Sequence, residues 1–222
     1  MTTMDAGADA PSPAGTSPDS AKRRQIMAGA QAVFLAQGFD GASMGEIARK
    51  AGVSKGTLYV YFESKEQLFE AIFEEECYTQ AEQVLTLDCA DRDIAAALTR
   101  FGCDLVRFLC QPSRLSPLRT IISIADRMPD IGRRFYQIGP ARGIAVVKSY
   151  LDAQATAGLL AIEDTELAAS QFIEACAGPI FKPMLFNFSG APGGERIKHV
   201  VDTAVRTFMA AYAVGWAKSP AG

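Results

Sequence analysis

Apolar residues recur along this chain at three- and four-residue intervals, the spacing that lays one face of an α-helix on a core. Ile26, Ala30, Val33 and Phe34 predict a first helix over Ser20–Gln37, ended by Gly38. Met44, Ile47, Ala48 and Ala51 trace a second, and Leu58 and Phe62 a third. Ser64 caps a fourth that carries Leu68, Phe69, Ile72 and Phe73 and continues past Leu85. Beyond it, Ile94, Leu98, Phe101 and Leu105 mark a helix over Asp91–Cys110, stopped by Pro112. Ser116-Pro117 starts another that reaches Met128. Helices over Asp130–Ile138 and Pro140–Ala157 follow, the latter ended by Gly158. The next opens at Asp164 or Thr165, and Pro179 and Pro183 should kink or end it. A last helix spans Glu195 to about Trp216. No strand alternation stands out. The expected fold class is all-α, with about nine helices: a three-helix N-terminal lobe and a larger helical C-terminal domain.

The segment IARKAGVSKGTLYVYFESK, ending at Lys65, carries the densest local signals. Ser43-Met44-Gly45-Glu46 has the S-x-x-E form of a capping box. Gly52 suits the left-handed residue that ends a helix, and Ser54 is an N-cap candidate for the next one. Two short helices joined by a tight turn result. If Leu58 and Phe62 face the core, Lys55, Gly56, Thr57, Tyr59 and Tyr61 are left over. Lysine binds a phosphate or a guanine edge, glycine lets backbone approach closely, and threonine suits a phosphate or a thymine methyl. Tyrosine hydroxyls reach phosphate. This is how a helix is fitted to the major groove of DNA. A merely solvated helix face is the plainer explanation, and the caps and the turn argue against it.

Charge agrees. From Ser20 to Lys65 there are seven cations and three anions, whereas the whole chain carries −3. A basic N-terminal lobe on an acidic protein points to a polyanion met through that lobe alone.

These residues resemble the N-terminal domain of the TetR family of transcriptional regulators. The matching features are Gly38-Phe39, Ser43-Met44, Ile47-Ala48, the run Ala51 to Tyr59, Tyr61-Phe62 and Ser64 to Leu68. Ser116 to Phe186 resembles the C-terminal domain of the AefR-like subgroup, through Arg133 to Tyr136, Gly139 to Arg142, Tyr150-Leu151 and Ala168 to Phe172. Ala42 departs from the family pattern, where threonine is frequent, as do Val60 and Glu63. The resemblance implies DNA-binding residues at Ser43, Ser54, Lys55, Gly56, Thr57, Tyr59, Tyr61 and Lys65, with Lys65 mainly on phosphate.

The implied organisation is a disordered tail over 1–19, a helix-turn-helix domain over 20–66, and an effector-binding and dimerisation domain over 67–218. Met1 to Asp19 is rich in Ala, Pro, Ser, Gly and Asp and lacks the pattern of a signal peptide. No apolar run is long enough to span a bilayer. Five cysteines without C-x-x-C spacing fit a reducing cytoplasm and core packing. With one histidine, His199, no catalytic triad or zinc site can be assembled, and Gly190–Gly194 lacks the lysine of a phosphate loop. No enzyme activity, cofactor or metal is expected.

Phe101, Leu105, Phe108, Ile121, Phe135, Tyr136, Phe172 and Phe181 are candidates to line an effector cavity. Each could equally be ordinary core, since pockets are themselves mostly apolar. Apolar positions on the last two helices suit a symmetric interface, and a helix-turn-helix protein reading two half-sites needs a dimer. The resulting expectation is a homodimeric, ligand-responsive repressor released from a palindromic DNA operator by a small apolar or amphipathic molecule. A constitutive DNA-binding regulator without an effector is the alternative. An enzyme with an attached DNA-binding lobe is disfavoured by the missing catalytic groups.

Overall fold

The structure, a computed structural model, describes residues 18–84 and 86–215, with side chains over 19–75 and 86–215. The expected tail lies outside the described residues as far as position 17, and so do Leu85 and Trp216. Among the described residues ten α-helices are present and no strand longer than one bridge. The chain divides into two compact units, 1–71 and 72–222.

The first unit holds α1 (Pro18–Gly41), α2 (Met44–Ala51), α3 (Lys55–Tyr61) and the opening turns of α4 (Lys65–Val84). Pro18 and Asp19 are helical, so α1 begins two residues before Ser20. Gly38 breaks its regular course with φ 72°, a left-handed value open to glycine. Phe39 is thereby turned back onto Phe34 and Phe69, with ring centroids 5.6 and 5.3 Å away. Ile26, Ala30, Ile47, Leu58 and Leu68 complete this small core. The α1–α2 crossing is very close: a Cβ added at Gly29 would lie 2.7 Å from the Cα of Ala51.

The second unit holds α5 (Ile94–Leu109), α6 (Pro112–Ile124), α7 (Pro129–Ile138), α8 (Pro140–Thr156), α9 (Thr165–Leu185) and α10 (Gly194–Tyr212). Phe101, Leu105, Tyr150, Phe172, Val201 and Phe208 lie in its core. The α5–α10 approach is tight at Gly102, where a Cβ would meet Val201 Cγ1 at 2.8 Å and Cys176 Sγ at 3.1 Å. Arg119 on α6 secures the end of α9, donating to the carbonyls of Leu185 and Met184, each at 2.8 Å.

Besides the start of α1, other boundaries differ from the sequence expectation. The fourth helix is expected past Leu85, but α4 is described to Val84 and residues 86–88 are not helical. Pro112 does not separate two helices by a loop; it is the first residue of α6, where its missing N–H costs nothing, and Pro117 sits inside that helix. Pro179 and Pro183 lie within an uninterrupted α9. They are four residues apart, so both missing N–H groups fall on one side of the helix, where Ala175 and Pro179 are exposed. The carbonyls left without helical partners are those of Ala175 and Pro179, while Phe172, Cys176, Ile180 and Met184 stay buried on the other side. Finally, α10 stops at Tyr212 rather than near Trp216, because Ala213 leaves the helix to pair with Leu160. Ala161 N–H donates to Tyr212 O at 2.8 Å and Val214 N–H to Leu159 O at 3.1 Å.

Candidate nucleic-acid interface

Both short helices are capped as their sequence dictates. Ser43 Oγ accepts from the Glu46 amide at 3.3 Å, and its hydroxyl donates to the Glu46 carboxylate at 3.0 Å. Hydrogen bonds from Ser43 and then Gln37 hold the Glu46 carboxyl below its ordinary range. Gly52 takes φ 66° and closes α2 onto the carbonyls of Ala48 and Arg49. Ser54 Oγ accepts from the Thr57 amide at 3.0 Å, and its hydroxyl lies 2.8 Å from Thr57 Oγ1. Gln25 on α1 adds a hydrogen bond to Ala51 O at 2.6 Å. The turn between α2 and α3 is thus bonded from both sides, which fixes the direction of α3.

On α3, Leu58 is fully buried while Lys55 and Gly56 are exposed, and Tyr59 is 51% exposed. Val60, for which sequence reasoning gave no role, is 81% exposed. An apolar side chain in that position suits a thymine methyl. Its signal was available: it stands two residues beyond the buried Leu58 and cannot share its face. The Lys55 stem passes over the start of α2, where a Cβ at Gly45 would come within 3.0 Å of Lys55 Cε. Arg49 and Lys50, exposed at the end of α2, add positive charge beside α3.

Three of the eight expected contact residues are engaged differently. Thr57 is half-buried, with its hydroxyl paired to Ser54. Tyr61 bonds Asp19, whose carboxylate raises the phenol above its ordinary range. Lys65 points at protein, not solvent: its ammonium donates to the carbonyls of Phe39, Ala42 and Asp40 at 2.9, 3.2 and 3.4 Å. It also lies 4.7 Å from the Phe39 ring centroid. A cation at the carbonyl end of α1 is favourable, and here it secures the loop after Gly38. Ser43, Ser54, Lys55, Gly56 and Tyr59 remain at the surface.

The expected effector lining is mostly packed core. Phe101, Leu105, Phe108, Ile121 and Phe172 are buried. Phe181 packs half-buried on the core. Phe135 meets Phe73 with centroids 4.7 Å apart, and Tyr136 is exposed. Two concavities stand out in the second unit. One, of about 410 Å³, runs between α9 and α10 past Phe172, Pro179, His199 and Thr203. The other, of about 660 Å³, lies where segment 86–89 faces the α7–α8 corner. None of the eight expected residues lines the larger one. Among the described residues, no group of three His, Cys, Asp or Glu is placed to hold a metal. No helix in them is long and apolar enough to cross a membrane.

A tightly capped helix pair with an exposed, cationic second helix, followed by an α-helical second unit, defines a DNA-binding regulator of the helix-turn-helix class. Residues 26–72 match the family described as bacterial regulatory proteins, tetR family, and residues 96–214 match the AefR-like transcriptional repressor, C-terminal domain. The chain belongs to the TetR family. It is 26% identical over 203 residues to the HTH-type transcriptional repressor BepR of Brucella suis, covering 85% of this chain and 92% of that one. The crystal structure of a TetR-family regulator from Mesorhizobium loti is 32% identical, with TM-score 0.81 over 89% of this chain and all of the other. The flavonoid-responsive regulator FrrA is 28% identical, with TM-score 0.79 over 88% and 99% of the two chains. The family comprises transcriptional regulators rather than enzymes, and its members bind DNA operators as dimers.

Proposed function

We propose that this chain is a cytoplasmic, ligand-responsive repressor. As a homodimer it holds a palindromic operator and leaves it when a small apolar or amphipathic molecule binds the second unit. The observation that carries the DNA-binding part is the division of α3 into a buried Leu58 and an exposed Lys55, Tyr59 and Val60. Lys55, Gly56 and Tyr59 enter the major groove, Val60 joins them, and Ser43 and Ser54 sit near phosphate. Thr57, Tyr61 and Lys65 act mainly by holding the reading helix in place. Repression is supported by the descriptions of BepR and of the matched C-terminal domain. Response to a small molecule is supported by the name of FrrA.

The groove between α9 and α10 is the proposed dimer face. Its lining mixes Phe172, Pro179, Ala175 and Ala204 with Thr203 and Thr207, which suits a self-complementary interface. A dimer sets two copies of α3 about 34–36 Å apart, one turn of duplex. An effector shifts such a regulator only by preferring one state, and near-complete release needs about 5.5 kcal/mol of preference. The competing reading, a regulator without an effector, is favoured by the packed core around Phe101, Leu105 and Phe172.

Selection from random duplexes tests the proposal. A two-fold-symmetric site bound by one or more dimers, and lost on Lys55→Ala with Tyr59→Ala, is the expected result. Recovery of no sequence preference overturns it.

A further inference from the structure

The larger concavity is built from segments distant in sequence: Thr86, Leu87 and Cys89 on one side, Ile138, Arg142 and Val146 on the other. At about 660 Å³ it falls within the roughly 300–1,000 Å³ of small-molecule sites. Its chemistry is uneven. Leu87, Ile138 and Val146 give apolar wall, and Arg142 is the one cation among the described residues lining it. We infer that this concavity is the effector site, and that it takes a molecule with an apolar body and one anionic end, the anion meeting Arg142. This rests on the ligand-responsive reading above.

The surroundings suit a site that has to transmit force. Segment 88–93 is fastened to α8. Gln154, fully buried, donates to the carbonyls of Cys89 and Asp91 at 3.2 Å each. Arg92 donates to Gln154 Oε1 at 2.8 Å, and the Tyr150 hydroxyl to Asp91 O at 3.0 Å. These bonds hold the 86–89 side of the concavity to the later turns of α8. The opposite side is the α7–α8 corner at Ile138 and Gly139. About one turn back along α7, Phe135 packs on Phe73 and Arg134 donates to Glu74 at 2.5 Å. Phe73 and Glu74 belong to α4, the helix that starts at Lys65. A ligand that seats in the concavity and displaces α7 moves its grip on α4.

The test uses the full chain carrying Cys77→Ser. Cys103, Cys110 and Cys176 are buried and Cys89 is exposed, so Cys89 reports on the concavity. Decanoate and uncharged decanol are titrated while modification of Cys89 by a thiol reagent is timed. Decanoate should protect Cys89 saturably and weaken operator binding. Arg142→Gln should weaken decanoate binding about tenfold, the loss of one charge-assisted contact, and leave decanol unchanged. Arg142→Lys should restore part of it, and Val146→Trp should remove protection by both. Unchanged melting profiles confirm that the variants are folded. No saturable protection by decanoate, or protection indifferent to both Arg142→Gln and Val146→Trp, overturns the inference. Operator affinity without probe is measured on the same samples: intact binding with no protection sinks this site alone, whereas no operator binding sinks the regulatory reading itself.

Discussion

Lys65 Nζ donates to Phe39 O at 2.9 Å, joining the first turn of α4 to the residue after the Gly38 break. The ammonium is therefore a structural cap. Lys65→Met should lower the unfolding free energy by about 1.5–3 kcal/mol, the range for hydrogen bonds from a charged donor. Urea unfolding checks the loss. Operator affinity at low temperature, where the variant stays folded, should fall less than for Lys55→Ala.

Exposed positions on α3 should behave in the opposite way. Lys55→Ala or Tyr59→Ala should weaken operator binding by about 1–3 kcal/mol with little change in stability. If Lys55 contacts phosphate, its loss is uniform across operator variants; if it reads a base, discrimination relaxes at one position. Fluorescence anisotropy on a set of single-base variants separates the two.

Gly102 has no room for a methyl group against Val201 and Cys176. Gly102→Ala should cost about 1–3 kcal/mol as overpacking. The loss should appear in the thermal unfolding of the second unit, and Val201→Ala in the same chain should recover part of it.

Burial, with the Asp91 and Asp93 charges nearby, pushes the Tyr150 phenol up to about 12 from 10.0. Burial likewise raises the Cys176 thiol to about 12 from 9.0. Both keep their protons in the folded chain at a pH where the unfolded chain has released them. Their contribution is complete below pH 9 and is lost as pH climbs toward 12. Melting temperature should fall across that alkaline window. Tyr150→Phe should lose about 1 kcal/mol at neutral pH with its hydrogen bond to Asp91, and then decline less steeply with pH.

What the sequence disclosed was local. The Ser43–Glu46 box, the Gly52 turn and the Ser54 cap are settled within three or four residues, so spacing alone was enough. On α3 the same spacing picked out the buried Leu58 and the exposed Lys55, Gly56 and Tyr59, but passed over Val60. Proline misled at Pro117, Pro179 and Pro183 because continuity of a helix depends on where the released carbonyls face, and tertiary packing decides that. The partners of Tyr61 and Lys65, Asp19 and Phe39, lie 42 and 26 residues away in sequence. Nothing in either pattern announces such pairs. The larger concavity is similarly hidden, since Cys89 and Arg142 are brought together by contacts of segment 88–93 with α8, those of Ser149, Tyr150 and Gln154 among them.

Between Gly29 and Ala51 there is space for a hydrogen atom and no more. The spacing of α1 and α2 therefore cannot be retuned in methyl-sized steps without a clash against backbone. New target sequences in descendants of this chain have to be acquired by repainting solvent-facing positions such as Lys55, Tyr59 and Val60, while the frame beneath them stays as it is.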